Sequence, residues 1–167
     1  RERHLFNPAA FGAVVIGLTG LLSSRWWIGR ANMFIFAVIL GYAIVRKIHR
    51  IPMAIAFGVT AVLLALIRGS SGSTDIVSLL QLSILSFPVV FFGTTMLTEP
   101  VTTPPHRYQQ ILYGVIVGLL FSSGLHFGDR TISPELALLI GNILVFAMAI
   151  RARQPLVLKE RSEIGDT

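Results

Sequence analysis

Six apolar stretches, separated by short polar or charged turns, account for most of the chain. They are predicted over residues 8–24, 26–45, 52–67, 76–97, 109–127 and 134–150. A bilayer-spanning helix needs roughly 17–25 predominantly apolar residues, a length that these stretches meet or nearly meet. Proline opens three of them, where its missing N–H is not needed, and Asn7 is the predicted cap of the first. The pattern predicts an all-α membrane protein with about six transmembrane or re-entrant helices.

The fourth stretch is predicted to contain a broken helix. Pro88 and Gly93 interrupt its apolar run. Further on, Pro100 disfavours a helical conformation at Glu99 and removes a hydrogen bond from the ladder. Backbone groups released in this way need partners from protein, water or ligand when they lie at membrane depth. We therefore expect the break between residues 88 and 104.

Two other patterns concern how the helices are placed. Gly114 and Gly118 form a small-xxx-small pair, which allows two helices to approach closely. The alternative interpretation is that membrane helices tolerate glycine for no packing reason. Trp26 and Trp27 open the second stretch, and paired tryptophans are typical of a membrane–water interface.

Composition supports a bilayer as the solvent. Of the 167 residues, 53% are hydrophobic and only 13% are charged, against about 25% charged in ordinary soluble domains. This balance excludes a disordered chain, a coiled coil and a nucleic-acid-binding module. Cysteine is absent, which excludes disulfides, cysteine-ligated clusters and a thiol nucleophile within this sequence.

Positive charge predicts the orientation. The net charge is +6, and most of the 14 lysines and arginines lie in the turns between apolar stretches. If all six stretches cross, ten of these residues lie on one side and four, Arg25, Arg30, Arg68 and Arg130, on the other. The positive-inside rule then places both termini in the cytoplasm.

The densest chemistry lies in residues 93–107, GTTMLTEPVTTPPHR, which hold five threonines and Glu99 beside an apolar run. An intramembrane carboxylate is by default a functional-site hypothesis. The alternative is an interfacial loop with a solvated glutamate. Arg107 is the one cation that adjoins the motif in sequence, and it is either a phosphate partner or a topology anchor. We identify no catalytic residue and no metal-ligand spacing.

Two motifs resemble one family. Residues 4–11, HLFNPAAF, resemble the FNPA motif of the NqrB/RnfD family, the flavin-carrying membrane subunits of sodium-translocating NADH:quinone reductase and of the Rnf complex. Residues 96–104, MLTEPVTTP, resemble that family's M-x-T-D-P-V-T-S-P motif, with Glu99 in place of aspartate. The resemblance covers about residues 5–151. It implies a fold similar to that of urea transporters, and it implies that this protein lies in a bacterial inner membrane.

The resemblance implies a flavin, either riboflavin or FMN, at the broken helix. The residues implied to bind it are Asn7, Thr95, Thr98, Glu99, Thr102 and Thr103. In the family, FMN is attached covalently to the threonine of an S-G-A-T motif. The nearest hydroxyl-rich loop here, GSSGST at residues 69–74, lacks that pattern. We therefore expect the flavin to be bound non-covalently.

The tail implies a further module. Residues 155–167, PLVLKERSEIGDT, resemble the opening strand of the FAD-binding domain in ferredoxin–NADP reductase-like proteins. We expect residues 1–153 to be an N-terminally truncated membrane flavin-binding domain, and residues 154–167 to be a linker or first strand of a missing reductase domain. FAD and NAD(P)H would bind only to that missing domain.

The resemblance implies a membrane electron-transfer domain, part of an oxidoreductase but not catalytic alone. Its implied partners are the lipid bilayer, the reductase domain in cis, and a quinone or another membrane electron acceptor. Nucleic acid is not an expected partner, and the sequence leaves the oligomeric state open. Two alternatives stay open: a channel or transporter for a small polar solute, and a non-catalytic membrane anchor for the reductase.

Overall fold

The computed structural model describes residues 5–20, 31–70, 77–78, 89–127 and 130–147, and most of these are helical. The main helices are α1 Pro8–Thr19, α2 Phe34–Lys47, α3 Ile51–Gly69, α4 Val89–Phe91, α5 Arg107–Ser122 and α6 Pro134–Ala147. A 3₁₀ turn, Ala31–Met33, precedes α2, and a π-helical turn, Phe92–Met96, continues α4. Two short strands, β1 His126–Phe127 and β2 Arg130–Thr131, pair antiparallel.

The predicted helix starts at prolines are confirmed. Asn7 has extended backbone angles and its side chain accepts a hydrogen bond from the Ala10 N–H, so it caps α1 with Pro8 in the first turn. Pro52 lies in the first turn of α3. Proline fits there because the first turn's N–H groups have no partner within the helix.

Several predicted ends were wrong. The first helix ends at Thr19 rather than residue 24, because Gly20 adopts a left-handed conformation with φ 72°. The fifth ends at Ser122 rather than residue 127, because the chain turns at Gly124, φ 56°, into β1. The predicted all-α class is confirmed, since helices dominate, and the structure adds a small two-stranded antiparallel pairing.

The predicted second stretch is described only from residue 31, so its predicted start at residue 26 lies outside the described residues. A 3₁₀ turn, Ala31–Met33, separates α2 from the preceding sequence, and α2 itself begins at Phe34. The tryptophan pair, residues 71–74 of the serine-rich loop and the tail after residue 147 lie outside the described residues. The predictions made for them stay predictions.

Helices α3 and α5 make the most extensive helix–helix contact of the described chain. A Cβ atom added to Gly114 would lie 2.5 Å from the Met53 carbonyl oxygen, and one added to Gly118 would lie 2.8 Å from the Phe57 carbonyl oxygen. Both distances are too short for any side chain. The small-xxx-small prediction is therefore confirmed, since these glycines let the two backbones approach closely.

The core lies where α3, α4 and α5 meet. The rings of Phe57, Phe92 and Phe121 pack against one another with centroids 5.1–5.6 Å apart. Outward-facing positions are also apolar: Ile35 and Phe36 on α2 are each more than 60% exposed. Among the described residues one helix, α3, is long and apolar enough to cross a membrane, and α1 and α6 are shorter apolar helices.

Candidate cofactor site at the broken fourth helix

Within the range predicted for the break, the described part of the fourth apolar stretch departs from α-helical geometry and ends at Met96. After α4 the hydrogen bonding changes to the π-helical pattern, in which the Leu97 N–H donates to the Phe92 carbonyl oxygen at 2.9 Å. The chain then leaves the helix through turns that reach Pro105. π-helical turns are rare and occur frequently at functional sites.

Threonine hydroxyls stabilise this segment from within. The Thr94 hydroxyl donates to the Val90 carbonyl oxygen at 2.7 Å, and the Thr98 hydroxyl donates to the Thr94 carbonyl oxygen at 2.6 Å. Such bonds to the carbonyl four residues earlier often bend a helix. Thr98 is fully buried, so its hydroxyl serves the backbone of the break.

Two glycines allow neighbouring helices to press against the break. A Cβ atom on Gly93 would lie 2.7 Å from the ring of Phe57 on α3. A Cβ atom on Gly41 of α2 would overlap the side chain of Thr94. The broken segment is therefore held between α2 and α3 by close contacts of a glycine backbone with a side chain, Gly93 with Phe57 and Gly41 with Thr94.

Asn7 joins the two sequence motifs. Its side-chain oxygen accepts from the Ala10 N–H at 3.0 Å, while its amide nitrogen donates to the Met96 carbonyl oxygen at 3.3 Å. The Asn7 side chain is 6% exposed and Met96 is 4% exposed. One buried amide thus caps α1 and supplies a partner to a carbonyl of the broken helix, 89 residues away in sequence.

The six predicted site residues separate into buried and accessible groups. Asn7, Thr98, Thr102 and Thr103 are buried, whereas Thr95 is exposed and Glu99 is half-buried. The Thr102 hydroxyl donates to a Glu99 carboxylate oxygen at 3.4 Å, a long hydrogen bond. Thr95 and Glu99 are therefore the two of the six best able to touch a ligand from outside the core.

A polar cluster supports the turn after the break. The Gln110 side chain on α5 donates to the carbonyl oxygens of Pro104 and Pro105, at 3.3 and 3.1 Å, and the Arg50 guanidinium donates to the Pro104 carbonyl oxygen. Arg50, rather than Arg107, is thus the cation that binds the motif. The hydroxyl of Thr103 and the side-chain oxygen of Gln110 are buried and have no partner among the described residues.

Sequence reasoning missed several buried polar residues. Tyr113 on α5 donates its hydroxyl to the Asn142 side-chain oxygen on α6 at 2.6 Å, and both side chains are almost fully buried. Gln110 and Glu135 are also buried. A signal existed for Asn142, since a polar residue inside an apolar stretch marks a helix–helix contact or a site. The Arg50 and Gln110 contacts depend on tertiary structure and had no local signal.

The described cavities lie elsewhere. One of about 510 Å³ follows the groove between α3 and α5, and one of about 440 Å³ lies where α3, α5 and β2 meet. Neither is lined by residues 92–103. Within the described ranges, no three histidine or acidic residues are grouped as a metal site would require.

Comparison with protein-family models, curated proteins and solved structures finds no match to this chain.

Proposed function

We propose that this chain is a membrane electron-transfer domain that binds riboflavin or FMN non-covalently at the broken fourth helix. The observation that carries the proposal is the hydrogen bond from Asn7 to the Met96 carbonyl oxygen. It brings together the two stretches that resemble the NqrB/RnfD family, and the two bonded residues are 89 positions apart in the sequence. A chance resemblance at two unrelated positions would not require their contact.

The side chains at this segment offer hydrogen-bond donors and acceptors of the kinds that a flavin can pair with. The ring edge of a flavin offers an N–H donor and carbonyl acceptors, and its side chain offers hydroxyls. Glu99 is a carboxylate acceptor and Thr95 a hydroxyl donor, and both are accessible. Asn7, Thr98, Thr102 and Thr103 would shape the segment behind them, because their side chains are buried.

A membrane location agrees with the surface of the described helices. Helix α3 has 19 residues and is therefore about 28 Å long, close to the roughly 30 Å hydrocarbon thickness of a bilayer. Large apolar side chains are exposed on α1, α2 and α3, such as Leu18, Ile39 and Ile67. In water this exposure would favour aggregation, whereas lipid accommodates it at no cost.

In this proposal, the residues of the protein position the flavin. A bound flavin supplies the electron transfer itself. Thr95 would orient the ring edge, and the Glu99 carboxylate would accept a hydrogen bond or exchange a proton there. The sequence has no G-x-G-x-x-G fingerprint, so the electrons would come from the reductase module in cis and pass to a quinone or another membrane acceptor.

Variants at the accessible pair test the proposal. Glu99→Gln removes the charge from one hydrogen-bond acceptor, and a bond to a charged group contributes about 1.5–3 kcal/mol. We expect a flavin dissociation constant about tenfold higher, with partial recovery in Glu99→Asp. Thr95→Val should weaken binding more modestly.

Thr19→Val is the matched control. Thr19 is an exposed threonine at the far end of α1, and its hydroxyl bonds the Ile16 carbonyl oxygen. Flavin affinity in this control should equal that of the wild type. If Glu99→Gln and Thr95→Val also retain wild-type affinity, the flavin does not bind at this segment.

A further inference from the structure

A cavity with both apolar and polar lining residues lies at the C-terminal end of α3. The cavity of about 440 Å³ is within the range of about 300–1,000 Å³ that small-molecule sites occupy. Its walls include Ala61, Val89, Phe121 and Ile132, all of them buried apolar residues. Its rim carries Arg68 together with hydroxyl-bearing residues of the neighbouring elements.

Arg68 is the charged group of this rim. It lies in the last turn of α3 and is exposed, and its guanidinium donates to the carbonyl oxygen of Ser122 at 2.9 Å. In the described part of the chain this is its one hydrogen bond. Since guanidinium has five N–H donors in a planar fork, it retains donors for a phosphate group.

The elements next to the cavity also favour an anionic ligand. Ser133 caps α6: its hydroxyl accepts from the Leu136 N–H at 3.3 Å and its carbonyl oxygen from the Ala137 N–H at 3.0 Å. The first turn of α6 therefore lies at the cavity, and the positive end of a helix dipole favours an anion. Glu135, the carboxylate of this turn, is not among the residues that line the cavity.

We propose that this cavity binds an anionic phospholipid, with the phosphate on Arg68 and one acyl chain between the apolar walls. The proposal rests on the membrane location in the proposed function but not on the flavin. The charge of Arg68 and its position at the end of α3 favour an anionic phospholipid. The cation lies where a bilayer-length apolar helix ends, which is the depth of lipid headgroups. A guanidinium can also bind a phosphate group through two parallel hydrogen bonds.

The test measures binding of a fluorescent phosphatidylglycerol to the detergent-solubilised full chain, in competition with unlabelled compounds. Phosphatidylglycerol should compete about tenfold better than phosphatidylcholine, and Arg68→Gln should abolish this preference while Arg68→Lys keeps most of it. Ala65→Phe, which fills the cavity, should weaken the binding of both lipids. Arg46→Gln, at the exposed end of α2, is the matched control and should behave as wild type.

Three results would overturn this site: equal competition by the two lipids, an unchanged preference in Arg68→Gln, or equally strong competition by inorganic phosphate, which would indicate a free-anion site. Flavin affinity is measured on the same samples. Lost lipid preference with retained flavin contradicts only the lipid site, and absent flavin with retained lipid preference contradicts only the flavin proposal.

Discussion

At the scale of single residues, Asn7 has two roles through two atoms of one amide. Its oxygen caps α1 and its nitrogen bonds the Met96 carbonyl oxygen. A serine or aspartate could provide the cap, but neither has a nitrogen donor for the second bond. The choice of asparagine is therefore explained by both contacts together, and substitutions can separate them.

We predict that Asn7→Ala lowers the free energy of unfolding by about 2–3 kcal/mol, because it removes a helix cap and a buried hydrogen bond. Asn7→Ser keeps the cap and should lose only about half as much. Reversible unfolding in mixed micelles measures both. Equal losses in the two variants would mean that the bond to Met96 contributes nothing.

At the scale of elements, the fold depends on how closely α5 approaches α3. Gly114 and Gly118 lie against the backbone of α3, so no Cβ fits there without moving the helices apart. Gly58, on α3 itself, has open space around its Cα. The same substitution at these glycines should therefore have opposite effects.

We predict that Gly114→Ala destabilises the protein by about 1–3 kcal/mol, the typical cost of overpacking. Gly58→Ala should stabilise it by up to about 1 kcal/mol, because alanine has the higher helix propensity. Unfolding in mixed micelles again provides the measurement. Destabilisation of similar size in both variants would show that helix flexibility, and not the α3–α5 contact, sets the effect.

Elements were predicted well where the signal is local. Asn7 and Pro8 mark a helix start by themselves, and Gly114 with Gly118 mark a contact face through their spacing. The break after α4 was predicted from proline and glycine, but its π-helical form was not, since nothing in the sequence distinguishes it from an ordinary helix end. The hairpin after Ser122 was missed because its strands have only two residues each, too few to give a period-2 pattern, and the predicted helix was carried through Ser123 and Gly124 to Phe127.

The candidate site was predicted only in part, for a physical reason. A motif names residue types, whereas burial decides which of them a ligand can reach. Thr98 lies in the motif and Thr95 directly before it, and both were candidates, yet the structure exposes Thr95 and buries Thr98. Arg50 and Gln110 bind the turn from distant helices, so only the folded chain reveals them.

At the scale of the whole molecule, α3 provides the most direct reference for orientation. Basic residues precede it, Lys47 at the end of α2 and Arg50 directly before α3, and the polar residue Ser70 follows it. The helix between them is about 28 Å long. If α3 crosses a membrane, as we propose, the positive-inside rule predicts that the Lys47 end faces the cytoplasm. The natural absence of cysteine makes the chain suitable for single-cysteine labelling.

We predict that a membrane-impermeant thiol reagent labels Ser70→Cys on intact cells and labels Lys47→Cys only after permeabilisation. Both positions are exposed in the structure, so access to reagent depends on the membrane alone. Labelling of both from outside would show that α3 does not cross, and labelling of Lys47→Cys alone would reverse the orientation.

The central claim is that this chain holds a flavin without a covalent bond, and flavin content tests it most directly. The protein is purified, incubated with riboflavin or FMN, freed of excess ligand and precipitated with acid. We predict about one flavin per chain before precipitation, and its recovery in the supernatant afterwards. Yellow colour retained in the pellet would contradict the non-covalent attachment, and a colourless protein that binds neither compound but carries a polar solute into liposomes would contradict the flavin site itself.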